Sequence, residues 1–181
     1  MSSGGRVVMV SSRSGSLSRF SPSLQAMLQD AARDKAALQH LSEHFLSQVD
    51  DGTWRGAGWP SAGVPLPPLP GLSGAPVVEG RMWLRATELG LYFTSGPHHT
   101  AYCVSKALLN AGARLLAADA NPHAVSVHAC CPGWVRTDMA GPLAPSSIAE
   151  GAATPVFLAS RPPSADAFET QFYADCRPIP W

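Results

Sequence analysis

The apolar positions begin almost at once. Arg6-Val7-Val8-Met9-Val10 is a β-branched run ending in Ser11-Ser12, with Gly15 soon after, and it predicts a short buried strand of a parallel sheet. The period then changes. Ser21-Pro22 offers a cap followed by proline at the first helical position. Leu24, Met27 and Leu28 follow at helical spacing, and Leu38, Leu41, Phe45 and Val49 continue it to a stop at Asp51-Gly52. The pattern predicts one bent helix or two short ones with a single apolar face.

Periodicity disappears beyond Gly56. Pro65-Leu66-Pro67-Pro68-Leu69-Pro70 is a polyproline stretch flanked by Gly63, Gly71 and Gly74. About 40 residues without a period is too long for a loop of a compact domain. Residues 62–99 therefore read as an irregular Pro/Gly-rich insertion, with Tyr92-Phe93 its best-packed neighbourhood. Pro67 and Pro70 are spaced as P-x-x-P, but no nearby Arg or Lys would orient them on an SH3-type partner. Order returns at Thr100. Val104, Leu108, Leu109, Leu115 and Leu116 mark a helix from Tyr102 to about Asp119 with two apolar faces, ended by Asn121-Pro122. Val125, Val127 and Ala129 alternate into a strand that stops at Pro132-Gly133. Ile148 to Ala159 predicts another helix, interrupted at Pro155, and Gln171-Phe172-Tyr173 a last short strand. Strand, helix, strand, helix, strand places the chain in the α/β class with a parallel sheet.

Composition narrows the partners. The 181 residues are 45% hydrophobic and only 14% charged, so an unusual share must be core, interface or apolar loop. Thirteen Lys and Arg balance thirteen Asp and Glu, leaving no global field to draw nucleic acid or an anionic membrane. No apolar run reaches membrane-spanning length. Cys103, Cys130, Cys131 and Cys176 show no C-x-x-C spacing, and neighbouring Cys130 and Cys131 would face opposite sides of a strand. They fit reduced structural thiols in a cytoplasmic protein. His40 and His44 lie four apart without a third ligand nearby, and they read as an exposed helical pair, not as a metal site.

Chemistry enters at Tyr102-Cys103-Val104-Ser105-Lys106. A Y-x-x-x-K spacing puts both side chains on one helix face. The ammonium would favour the phenolate, lowering a phenol that ordinarily titrates near about 10, so that the tyrosine can trade a proton with an alcohol or carbonyl. Ser12, at the carboxyl end of the first strand, can offer its hydroxyl to the same oxygen, because ligands of open α/β sheets bind outside those strand ends. The spacing alone is weak. Joined to V-S-S at one strand end and P-G at the next, it is specific. A serine hydrolase is disfavoured, since no G-x-S-x-G elbow is present.

With these motifs the chain resembles the short-chain dehydrogenases/reductases. The residues concerned are Gly5 to Ser12, Ala101 to Lys106, and Cys130-Cys131-Pro132-Gly133-Trp134-Val135-Arg136-Thr137-Asp138-Met139-Ala140-Gly141-Pro142. The last stretch is similar to the monomeric carbonyl reductases in particular, as are Ser21-Pro22-Ser23-Leu24-Gln25 and Gly58-Trp59-Pro60-Ser61. The resemblance covers roughly residues 4–61 and 100–181. It implies the C-terminal part of a doubly wound Rossmann fold, with the family's glycine-rich turn, N-N-A-G segment and asparagine-bearing helix expected ahead of residue 4. It implies NADPH as cofactor and a small-molecule carbonyl as substrate. Tyr102 would be the acid, Lys106 would hold the ribose and tune Tyr102, and Ser12 would bind the substrate oxygen. Pro132, Gly133, Val135, Arg136, Thr137 and Asp138 would line the nicotinamide and phosphate region, with Trp134 and Met139 walling the substrate pocket. Trp134 also fits a plain core tryptophan, and Thr137-Asp138 an ordinary helix cap. Such relatives are expected to be monomeric. The 181-residue chain by itself is expected to be an inactive or partner-binding piece that exposes a strand edge prone to self-association.

Overall fold

In the computed structural model the described residues are 5–60, 97–120, 125–142, 144–161 and 171–181. The expected insertion lies outside them up to position 96, as does Tyr92-Phe93. Among the described residues the strands are β1 (Arg6–Val10), β2 (Ser126–Cys131), β3 (Phe172–Ala174) and β4 (Arg177–Ile179), side by side in that order. The first three are parallel, with Val7 opposite Val127 and Ala129 opposite Phe172, and β4 returns antiparallel to β3. The α/β class and parallel sheet expected from the alternation of periods are what the chain forms.

The helices are α1 (Pro22–Ala31), α2 (Lys35–Asp50), α3 (Pro97–Ala120) and α4 (Ile148–Ser160). The apolar stripe of residues 22–50 resolves into two helices because Asp34 takes an extended conformation and its carboxylate accepts from the Ala36 N–H, capping a new start. Ser147 and Glu150 close a reciprocal capping box on α4, and Pro155 is accommodated inside that helix. None of the described helices is long and apolar enough to cross a membrane.

Three packing layers follow from the strand period of two. Val7, Met9, Val127, Ala129 and Cys131 turn one way, onto Ala113 and Ala117 of α3. Val8, Cys130 and Tyr173 turn the other way, onto Phe157 and Leu158 of α4. Cys130 and Cys131 thus sit on opposite faces. A separate cluster joins Leu24, Leu28, Leu41, Phe45 and Trp59 to Cys103, Val104, Ala107 and Ala111, so α3 is buried on two sides. Alanines at 107, 111, 113 and 117 are among its buried positions, however, while Leu116 is 41% exposed. A helix wedged between a sheet and a helical pair presents alanines where backbones approach and leaves the leucines at the flanks.

Two features were not read from the sequence. Helix α3 begins at Pro97, three residues inside the expected insertion. The β3–β4 hairpin turns at Asp175 and Cys176 with φ of 52° and 58°, a left-handed pair usually announced by glycine or asparagine.

Leu28, 1% exposed at the centre of the α1–α2–α3 cluster, should cost about 2–5 kcal/mol of unfolding free energy when changed to Ala, measured by urea denaturation. Burial pushes the Cys130 thiol from 9.0 up to about 11. An acid raised in the folded state holds its proton longer there than in the unfolded chain, so stability declines as pH climbs from about 9 to about 11. Cys130→Ala should flatten that decline without abolishing it, because burial raises Cys103 as well.

Candidate active site

The parallel pairing of β1 and β2 brings their carboxyl ends to one edge of the sheet. The ladder runs one step past β1, where the Ser11 N–H donates to the Cys130 carbonyl at 2.7 Å. Ser12 then opens a tight turn, its hydroxyl accepting from the Ser14 N–H at 3.1 Å and its carbonyl from the Gly15 N–H at 3.0 Å. That turn rests on α3. A Cβ on Gly15 would stand 2.5 Å from the Ala107 nitrogen, so only glycine permits the approach. The Ser11 hydroxyl donates to the Lys106 carbonyl at 3.2 Å, and Lys106 Nζ donates to the Val10 carbonyl at 3.2 Å. Strand end and helix are tied twice.

Ser12, Tyr102 and Lys106 therefore come together, although 90 residues separate the first two. The Ser12 hydroxyl faces the Tyr102 phenol closely enough to pull its titration down. Lys106 Nζ lies 5.7 Å from the centroid of the Tyr102 ring. The electrostatics differ from the sequence expectation. The Tyr102 phenol is raised above its ordinary value, chiefly by burial, with smaller upward pushes from Cys131 and Cys103 and an opposing pull from the Ser12 hydrogen bond. The expected lowering by Lys106 is not seen. Its ammonium lies by the ring and is bonded to the Val10 carbonyl, so burial decides the direction. Burial favours the protonated form of the Tyr102 phenol.

The other expected residues lie on the loop leaving β2. Gly133 has φ of +85°, and its N–H donates to the Cys131 sulfur at 3.4 Å. Val135 forms a lone parallel bridge with Ser146 and packs so tightly on α4 that a Cβ at Gly151 would meet its Cγ2 at 2.4 Å. Arg136 turns its guanidinium onto the carbonyls of Ala144 and Pro145, at 2.9 and 2.7 Å. Thr137 does not cap a helix. Its hydroxyl donates to the Val135 carbonyl, and its own carbonyl accepts from Ala140 and Gly141 in a turn. Trp134 donates its indole N–H to the Ala140 carbonyl at 3.2 Å and is half-buried, unlike a plain core tryptophan. Asp138 and Met139 are exposed, Met139 by 60%.

Sequence reasoning missed the polar support under the start of α3. Buried His99 presents Nε2 to Arg19 Nη2 at 3.1 Å and to the Cys103 sulfur at 3.2 Å, and the Thr100 hydroxyl donates to the Pro60 carbonyl at 2.6 Å. The four-residue spacing of His99 and Cys103 was the available signal. Gly52, Gly56 and Gly58 share the G-x-x-x-G-x-G spacing of a phosphate-binding turn. They occupy turns after α2 and follow no strand among the described residues, unlike a phosphate-binding turn. His44 packs against Trp59 with ring centroids 6.0 Å apart.

Comparison with known proteins shows what the chain is similar to. A family profile described as enoyl-(acyl carrier protein) reductase matches residues 91–160. The carbonyl reductase (NADPH) 1 of Homo sapiens is 32% identical over 179 residues, covering 98% of this chain and 52% of its own length. The Mus musculus protein of the same name is 43% identical over 99 residues, covering 52% of this chain and 36% of its own. The chain thus spans about half the length, or less, of the relatives it matches. Among solved structures, salutaridine reductase from Papaver somniferum superposes with a TM-score of 0.65 at 25% identity, over 94% of this chain and 45% of that one.

The Ser12 bond to Tyr102 can be checked without any ligand. Ser12→Ala removes a contact that draws the Tyr102 phenol down, so Tyr102 should titrate still higher in the variant. Carbon-13 labelling of the tyrosine rings reads this by NMR, with Tyr102→Phe assigning the signal among the three tyrosines.

Proposed function

The chain belongs to the short-chain dehydrogenase/reductase family, on its carbonyl reductase branch, and from that premise we propose that it carries the carbonyl-activating site of an NADPH-dependent reductase. The reaction is reduction of a small-molecule carbonyl to an alcohol. The observation that supports it most is the meeting of a hydroxyl, a protonated phenol and an ammonium at the carboxyl edge of a parallel sheet.

Ser12 and Tyr102 hold the substrate oxygen between them. As negative charge develops on that oxygen, Tyr102 gives up its phenolic proton to it, and the nearby Lys106 ammonium stabilises the phenolate left behind. NADPH, when bound, supplies the hydride that reaches the carbonyl carbon. The residues present fit its nicotinamide-ribose end. Lys106 spends one N–H on Val10 and keeps donors for ribose hydroxyls, while Pro132, Gly133, Val135, Thr137 and Asp138 offer a glycine-hinged, largely exposed loop beside it. Arg136 braces that loop through Ala144 and Pro145. Trp134 and Met139, on the same loop, wall the substrate side. No glycine-rich turn joining a strand to a helix, of the sort that cradles a pyrophosphate, occurs among the described residues.

A second reading, a non-catalytic chain that binds a partner, is favoured by one observation. Among the described residues β1 pairs on one side only, and Val10 at its end is 48% exposed. Such an apolar edge can template another strand. A titration of NADPH fluorescence separates the two readings, since a purely partner-binding chain leaves the signal unchanged.

Positioning a nicotinamide against a carbonyl can supply several kcal/mol of the barrier, and nothing described here grips the pyrophosphate. The purified 181-residue chain should therefore show no measurable reduction of quinones or aromatic aldehydes by NADPH. Fusion to the dinucleotide-binding half of a related reductase should restore turnover. Residues 62–96 are omitted from that fusion and Pro97, His98 and His99 kept, because α3 starts there and His99 is buried. In the fusion, Tyr102→Phe should lower kcat by about 10²–10⁴-fold. Fast NADPH oxidation by the 181 residues alone would contradict the first expectation, and an undiminished Tyr102→Phe fusion would remove Tyr102 as the acid.

A further inference from the structure

The turn that carries Ser12 is held at both ends. Its entry is fixed by the Ser11 N–H on the Cys130 carbonyl, and Ser12 and Gly15 are bonded to each other across the turn. Its exit is fixed from far along the chain. Trp181 donates its indole N–H to the Gly15 carbonyl at 3.1 Å, across 166 residues. Asn110 donates to the same oxygen at a weaker 3.5 Å. The Trp181 ring is itself clamped, with the Arg114 guanidinium 4.9 Å from its centroid and apolar contacts to two of the packing layers. The other distant tether, Arg13 to Asp175 at 2.6 Å, joins side chains that are 54% and 64% exposed, where an ion pair contributes little.

We propose that Trp181 is a positioning residue for the Ser12–Tyr102 pair, its indole N–H fixing the Gly15 carbonyl and thereby the turn from which Ser12 reaches the phenol. The proposal rests on the reading of Ser12 and Tyr102 as the carbonyl-binding pair. An indole suits the task because it is a donor only and brings no charge near the site. The groups facing Tyr102 stay as they are: Ser12 from the turn, Cys131 from β2, Cys103 and Lys106 from α3. Whatever loosens the turn should then register at Tyr102 through its contact with Ser12.

The test is the Tyr102 titration in the intact 181-residue chain, followed by carbon-13 tyrosine NMR beside thermal unfolding. Trp181→Ala loses ring and donor together and should lower the Tm. Trp181→Phe restores the ring under Arg114, and should recover most of the Tm yet leave Tyr102 titrating higher than in the parent, in the same direction as Ser12→Ala. Benzothienylalanine placed at 181 keeps the bicyclic shape without the N–H, and should reproduce the Trp181→Phe titration should phenylalanine pack poorly. A Tyr102 titration unchanged in both donor-free variants, with Ser12→Ala still shifting it, would overturn the role of Trp181 and leave the pair intact. A titration that Ser12→Ala also fails to move would overturn both, since there would be no bond for Trp181 to position.

Discussion

The site depends on how closely α3 can lie against the end of β1. The Gly15 turn touches the backbone of Ala107, and that contact lets Ser11 reach the Lys106 carbonyl and Lys106 reach the Val10 carbonyl. These two bonds point in opposite directions along the same junction, so strand end and helix hold one another in register. Were α3 a side chain's width further away, Ser12 could not meet Tyr102. The alanines that replace the expected leucines in the buried faces of α3 serve the same geometry, with Ala107 against the turn and Ala113 and Ala117 against β2. Packing at the helix and chemistry at its start are one constraint.

Much of this was legible because it followed from period. The β-branched run of Arg6–Val10, the alternation ending at Cys131 and the helical spacing around Tyr102 each named an element, and parallel pairing of the two strands placed Ser12 and Pro132–Gly133 at one edge. What the period could not convey was distance across the fold. The reach of Trp181 back to Gly15, and of Arg19 to His99, joins residues that share no local pattern. The hairpin at Asp175–Cys176 was hidden for another reason. Its left-handed backbone is met by a tertiary contact, the Cys176 N–H on the Thr154 hydroxyl, and not by a glycine that a sequence would display.

The electrostatic expectation failed in an instructive way. A lysine one turn from a tyrosine reads as a field that lowers the phenol, but proximity along a helix does not aim the ammonium. Lys106 points to the Val10 carbonyl, and burial outweighs the downward pull of Ser12 on the phenol. On the proposed reading of Tyr102 as proton donor this is the useful direction, because a raised phenol would stay protonated until negative charge appears on the substrate oxygen. The lysine would matter after the proton has left, when it faces a phenolate in place of a phenol.

The Pro60–Thr100 bond bears on the segment that the sequence marked as an insertion. The Thr100 hydroxyl donates to the Pro60 carbonyl at 2.6 Å, so the described chain leaves and re-enters at neighbouring points. A connection whose ends already meet places no demand on the length of what lies between, since closing a longer loop costs only about 0.6 kcal/mol per doubling. The constraint falls instead on the residues that receive the chain. His99, bonded to Arg19 and Cys103 beneath the first turn of α3, fixes where that helix starts and hence the position of Tyr102 one turn further on. Any boundary drawn for an insertion must therefore stop short of His99, because the residues just before Tyr102 on α3 already belong to the foundation of the proposed site.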